Sequence, residues 1–133
     1  MRTVVVFRAG GRDYAVAIEQ VRRVLAATGL APLPDPLPGV AGLLRHDGAT
    51  LTVVAPLGSD DGGGQVLVLD HGGGAIGLLV DEVTGIRQVE EGSIGPPPEG
   101  QRAALVTGVV AAAGGGGLLL LVDPTTLVEA ARR

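Results

Sequence analysis

Residues Ile76–Ile86 read IGLLVDEVTGI, an apolar run with two adjacent carboxylates, Asp81 and Glu82, at its centre. Taken alone, the pair suggests acid–base chemistry. The chain itself supplies a second reading. YAVAIEQVRRV, Tyr14–Val24, aligns with the run at an offset of 62, the separation of Tyr14 from Ile76. Val16/Leu78, Ile18/Val80, Glu19/Asp81, Gln20/Glu82, Val21/Val83 and Val24/Ile86 match in type. TLTVVAP from Thr50 and LLLLVDP from Leu118 align at an offset of 68. Internal repetition of this kind means that one supersecondary unit occurs twice. The acidic position therefore recurs where a buried strand ends. There a carboxylate accepts hydrogen bonds from free backbone N–H groups of the next turn. The structural role is favoured over catalysis.

Around these segments the chain is short strands punctuated by glycine. RTVVVFRA and RDYAVAI flank Gly10-Gly11. GLLRHDGATLTVVAPLG holds two strands around Asp47-Gly48, a strong hairpin signal. QVLVLD and AIGLLVDEV flank HGGG, and ALVTGVVAAA and LLLLVD flank Gly114–Gly117. In AIEQVRRVLAATG, Ile18, Val21, Val24 and Leu25 fall at helical spacing and Gly29 suits a C-cap, which predicts a short crossing helix. LAPLPDPLPG and SIGPPPEG are proline-rich loops. PTTLVEAARR opens with proline at a helix-entry position and predicts a terminal helix. The chain reads as mostly β, with two short helices.

Composition narrows the function. Of 133 residues 46% are hydrophobic but only 2% aromatic, so the core must be aliphatic. Net charge is −4, and the ten basic residues, all Arg, are scattered, which leaves no basic face for nucleic acid or an anionic membrane. Cys is absent, which removes disulfides and thiolate chemistry and points to a reducing cytoplasm. The N-terminal apolar run is too short for a signal peptide, and no run reaches the ~20 residues of a membrane helix. Gly72–Gly77 matches G-x-G-x-x-G, but a β-like segment follows where a dinucleotide site needs a helix. His46 and His71 sit beside Asp47 and Asp70 at turns, and two ligands without a third make a weak metal site. Ser59 and Ser93 have no base nearby in sequence, and SDDGGG lacks calcium-loop spacing. No catalytic constellation or cofactor is expected.

YAVAIEQVRRV, LPDPLPG, GLLRHDGATLTVVAPLG, IGLLVDEVTGI and TGVVAAAGGGGLLLLVD resemble, in order and spacing, the CheW-like family across essentially the whole chain. The resemblance implies a single domain, 1–133, of two five-stranded β-barrel lobes around a shared core. It implies a non-enzymatic adaptor that couples chemoreceptors to the histidine kinase CheA. The kinase's regulatory domain, itself CheW-like, associates end to end, and the receptor's helical tip lies in an apolar groove between the lobes. Neither nucleic acid nor membrane insertion is implied, and exposed barrel edges leave self-association open.

Three positions depart from the family pattern. Arg23 stands where Glu is usual, Asp47 where Arg is usual, and Ala55 where Asp is usual. Arg45-His46 also replaces the usual pair before the hairpin. The first two changes are reciprocal, so an Arg23–Asp47 ion pair of reversed polarity is expected, with Arg22 as a competitor for Asp47. Arg45, His46 and Gly48 are expected to contact kinase; Val21, Val24, Leu25, Leu43 and Leu44 to line the receptor-type groove, with ordinary core packing as their alternative. The altered charges also allow a degenerate relative that caps or inhibits array assembly. A small ligand-binding barrel is the remaining alternative.

Overall fold

Paired glycines turn the chain where their spacing predicts. In the computed structural model, which describes residues 1–32, 39–57, 64–97, 105–111 and 117–131, β1 (Arg2–Ala9) and β2 (Arg12–Ala17) join through Gly10-Gly11 at φ 59 and 80. β6 (Gln65–His71) and β7 (Gly74–Val80) join through Gly72-Gly73 at φ 57 and 84. β4 (Val40–His46) and β5 (Ala49–Val54) join through Asp47-Gly48 at φ 51 and 77. Two positive φ angles make type I′ turns, whose twist matches that of the strands they connect. β9 (Gly108–Ala111) and β10 (Leu118–Leu121) pair antiparallel. Most of the glycine turn joining them lies outside the described residues, as do the centre of the first proline loop, Ser59 with the connector as far as residue 63, the end of the second proline loop, and Arg132-Arg133.

The crossing segment is a strand, not the expected helix. β3 (Val21–Ala26) lies between 3-10 turns at Ile18–Gln20 and Ala27–Gly29. It pairs with β6, with Val21 opposite Leu69 and Arg23 opposite Val68, so Arg22 is an extra, bulged residue. A bulge lengthens the two-residue alternation by one. That insertion imitates helical spacing. β8 (Glu82–Val89) repeats the device against β1, with Gly85 opposite Val6, Val83 opposite Phe7 and Thr84 bulged, again 62 residues on.

Two five-stranded sheets result, ordered β8-β1-β2-β10-β9 and β3-β6-β7-β5-β4. The second order is the first with each strand replaced by its repeat partner. Registers agree as well. The parallel pairing of Leu121 with Ala15 in one sheet corresponds to that of Val53 with Gly77 in the other. Each sheet mixes the two halves of the chain, lobe 1 joining β1 and β2 to β8, β9 and β10, and lobe 2 joining β6 and β7 to β3, β4 and β5. Lobe 1 is completed by β8 and lobe 2 by β3.

Neither ladder runs continuously around its lobe, but a single bridge marks each seam. Ala31 and Leu43 exchange backbone hydrogen bonds of 2.8 Å in lobe 2, and Gly95 and Val109 bonds of 2.8 and 3.1 Å in lobe 1. A glycine precedes the bridging strand residue both times. A Cβ on Gly42, whose φ is +157, would lie 2.4 Å from the Ala31 carbonyl oxygen, and one on Gly108 would lie 3.1 Å from that of Gly95. Glycine is what lets the backbones approach.

The continuous apolar runs now have a reason. Inner strands are covered on both faces, as such runs imply. From β6, Val66 and Val68 fill lobe 2 while Leu67 and Leu69 enter a core shared between the lobes. From β10, Leu119 and Leu121 fill lobe 1 while Leu120 enters the shared core. The chain's one Phe and one Tyr sit in that shared core. Phe7 and Tyr14 are opposite one another across β1–β2, both fully buried, with ring centroids 5.8 Å apart and planes 18° from parallel.

The terminal helix α1 (Pro124–Ala131) is as expected, with Leu127 sealing the shared core. Its N-cap is Asp123, whose Oδ1 accepts the Thr126 N–H at 2.8 Å.

Candidate functional site

All five strands of lobe 2 contribute to a recess of about 430 Å³ at the lobe's open end. Arg22 and Arg23 come from β3, His46 from β4, Thr50 and Leu51 from β5, Val68 from β6 and Ala75 from β7, with Asp47 and Ala49 at the hairpin. Leu51 and Val68 also belong to the lobe core, so the recess has an apolar floor and a charged rim. Arg22, on the bulge, pairs with Asp70 of β6 through its Nε. His46 Nε2 lies 3.3 Å from Asp47 Oδ2, an ion pair when the imidazole is protonated. Lobe 1 opens in the same way. Its recess, about 420 Å³, is lined by Val6, Arg8, Asp13, Thr84, Gly85, Ile86, Arg87 and Leu119. Thr84-Gly85 there replaces Arg22-Arg23, and the ion pair lies within the β1–β2 hairpin, Arg8 Nε to Asp13 Oδ1 at 3.3 Å.

Large apolar side chains stay exposed on both crossing strands. Val24 on β3 is 39% exposed, and its repeat partner Ile86 on β8 is 66% exposed. Leu118, the counterpart of Thr50, is 57% exposed. Scattered exposed apolar residues are ordinary. The recurrence of Val24 and Ile86 at matching sites of a repeat is the notable point.

The expected ion pair does not form. Among the described residues the ion pairs are Arg2–Glu91, Arg8–Asp13, Arg22–Asp70 and His46–Asp47, and Arg23 is in none of them. Arg22 does not take Asp47 either, because the strand register places Asp70 beside it. Arg23 and Asp47 share the recess without neutralising one another. Of the groove residues, Leu44 is buried in the core of lobe 2 and offers no surface. Val21 is half-buried against the shared core and Leu25 against the lobe 2 core, and Leu43 is half-buried at the seam. Arg45 and Gly48 are exposed, and His46 is half-buried at the rim.

Asp81 serves structure through a donor distant in the sequence. Its Oδ2 accepts the N–H of Gly10, 71 residues earlier, at 3.0 Å. The chain passes from lobe 2 to lobe 1 there, and the carboxylate ties the junction to the first hairpin. Gln65 helps, its Oε1 accepting the Val83 N–H at 2.7 Å. Glu19, the repeat counterpart, is exposed in its 3-10 turn. Gly72–Gly77 form a turn and strand, not a dinucleotide loop. Ser93 donates to the Glu90 carbonyl at 2.6 Å. Among the described residues no group of three His, Asp or Glu could hold a metal, and no helix is long and apolar enough to cross a membrane.

Strand-exchanged lobes with apolar and charged groups gathered at two openings define a β-rich interaction module. The chain matches the CheW-like domain family over residues 3–132. The chemotaxis protein CheW of Rhizobium meliloti (strain 1021) is 31% identical over 105 residues, which cover 74% of this chain and 68% of that protein. The crystal structure of the scaffolding protein TtCheW from Thermoanaerobacter tengcongensis superposes with a TM-score of 0.85, covering 99% of this chain and 90% of that one. At 20% identity that likeness speaks for the fold alone. The chain belongs to the CheW-like family. It is accordingly a chemotaxis adaptor, of a family that is non-enzymatic.

Proposed function

We propose that this chain works in the cytoplasm as one domain that joins the regulatory domain of a CheA-type kinase to the helical tip of a chemoreceptor. The kinase domain docks at the open end of lobe 2, against the β4–β5 hairpin with Arg45, His46 and Gly48. The receptor tip uses the exposed Val24 and the half-buried apolar residues Val21, Leu25 and Leu43. The observation that carries this reading is the paired exposure of Val24 and Ile86 on the two crossing strands. Leaving such side chains in water is unfavourable by roughly 25 cal/mol per Å² of apolar surface, which burial in a complex recovers.

The test is affinity for the cognate kinase regulatory domain, measured by calorimetry, together with kinase activity in reconstituted receptor arrays. Wild type binds and supports receptor control of the kinase. Val24→Asp abolishes receptor control of the kinase and leaves the melting temperature unchanged. Absence of wild-type binding refutes the adaptor reading. Binding that silences the kinase selects the second reading, an inhibitor of array assembly, for which Arg23, Asp47 and Ala55 are the motivation.

A further inference from the structure

Three hairpins share one kind of turn, and one of them carries a reactive side chain in it. Gly10-Gly11 and Gly72-Gly73 fill two, and Asp47-Gly48 the third, with Asp47 at φ 51 and Gly48 at φ 77. Asp47 is the one non-glycine with positive φ among the described residues. The β4–β5 ladder closes at the His46–Ala49 pair, so neither turn residue belongs to it. The surroundings are open. The Asp47 side chain is 74% exposed, and no atom lies within 4 Å of where a Cβ on Gly48 would stand. Type I′ and type II′ turns both hold a positive φ at the first central position, and both fit a two-residue hairpin. Flipping the Asp47–Gly48 peptide exchanges the two without breaking the ladder, and it swings the Gly48 nitrogen round the Asp47 Cα towards the carboxylate. A proton donor stands beside that carboxylate, with His46 Nε2 lying 3.3 Å from Asp47 Oδ2. Among the described residues, the charged groups facing His46 across the recess are Arg22 and Arg23 of β3, and Arg22 is held by Asp70 of β6. The residues that β5 and β7 present there are uncharged.

We infer that Asp47-Gly48 is a site of covalent self-modification, at which Asp47 closes to a cyclic imide and reopens as isoaspartate, with His46 as the proton donor. The Gly48 nitrogen attacks Asp47 Cγ. The Cγ–N bond forms and the Cγ–Oδ2 bond breaks. Oδ2 takes one proton from the His46 imidazolium and one from the Gly48 N–H, and leaves as water. A second water then adds to the main-chain carbonyl carbon of Asp47, and the bond from that carbon to the Gly48 nitrogen breaks. The nitrogen takes one proton of this water and His46 recovers the other, so nothing is oxidised or reduced. Isoaspartate carries the chain through its side chain, which adds a methylene to the backbone. A two-residue turn has no slack for it, so the His46–Ala49 pair opens and the rim of lobe 2 is reshaped. The modification alters the hairpin assigned to kinase docking but does not depend on that assignment.

The experiment ages the purified full chain at about pH 5 and about pH 8, the ends of the range in which histidine changes charge. Isoaspartate is counted by enzymatic methylation and located by fragment mass spectrometry, which separates Asp47 from Asp61 of the other Asp-Gly pair in the sequence. Wild type accumulates isoaspartate at Asp47, faster at the lower pH. His46→Gln slows this about tenfold at the lower pH, short of the roughly 100-fold that a well-positioned acid supplies, and changes little at the higher. Asp47→Glu, which cannot close the five-membered ring, gives none at that position. Asp47→Asn closes the same ring by losing ammonia and shows whether the folded turn permits closure, whatever His46 does. A wild-type chain that stays unmodified at Asp47 while its urea-unfolded form is modified there overturns the inference, as does an Asp47→Asn chain that keeps its amide when folded. Equal rates in wild type and His46→Gln at both pH values overturn the role of His46 and the inference with it.

Discussion

Phe7→Ala tests whether the shared core holds the lobes together. Phe7 is fully buried, stacks on Tyr14 and packs in the cluster that both sheets build. Truncating a buried Phe costs about 3–5 kcal/mol. Losing an aromatic pair adds about 0.5–1.5 kcal/mol beyond buried area. Two hydrogen-bonded sheets wall the cavity and limit its collapse, so the loss belongs near the upper end, about 5 kcal/mol. Domains of this kind are stable by only about 5–15 kcal/mol. The melting temperature should fall by on the order of 15 °C. Tyr14 is the sole tyrosine and tryptophan is absent, so its fluorescence reports on this core alone in urea titrations, beside far-ultraviolet circular dichroism. Both probes should give one coincident transition. Ile86→Ala, at an exposed site, should stay within about 0.5 kcal/mol of wild type. A loss below about 1.5 kcal/mol for Phe7→Ala, or two separated transitions in wild type, would refute the shared-core account.

Gly42→Ala should destabilise by about 1–3 kcal/mol, because its Cβ would press on the Ala31 carbonyl at the lobe 2 seam; denaturant midpoints measure this. Asp81→Ala should cost about 1–2 kcal/mol by removing an acceptor from the Gly10 N–H, with kinase-domain affinity unchanged in calorimetry. Asp123→Ala should cost about 1 kcal/mol through the lost cap of α1, seen as a lower melting temperature.

The hairpins were legible because glycine pairs and Asp47-Gly48 dictate turn geometry by themselves. The repeat was legible because apolar and acidic positions recur at fixed offsets. The crossing strand was not. Ile18, Val21 and Val24 fall three apart because of a 3-10 turn and then a bulge at Arg22, and together these copy helical periodicity. The repeat held the correction. EVTGIRQV, the second copy, is rich in β-formers and carries Gly85 inside it, which argues against a helix in either copy. Charge partners were the least legible. Asp70 is 48 residues from Arg22 and reaches it only through the β3–β6 register. His46 engages Asp47 from next door. The expectation of a kinase surface at one barrel end came from the resemblance, while the burial of Leu44 depended on which face of β4 turns inward.

Because β3 completes lobe 2 and β8 completes lobe 1, neither half of the chain is self-sufficient. A break between β5 and β6 yields two fragments, each missing strands from both sheets, that regain order only by recombining. The same arrangement lets two intact molecules trade halves at high concentration, giving an entangled dimer with every native strand pairing preserved.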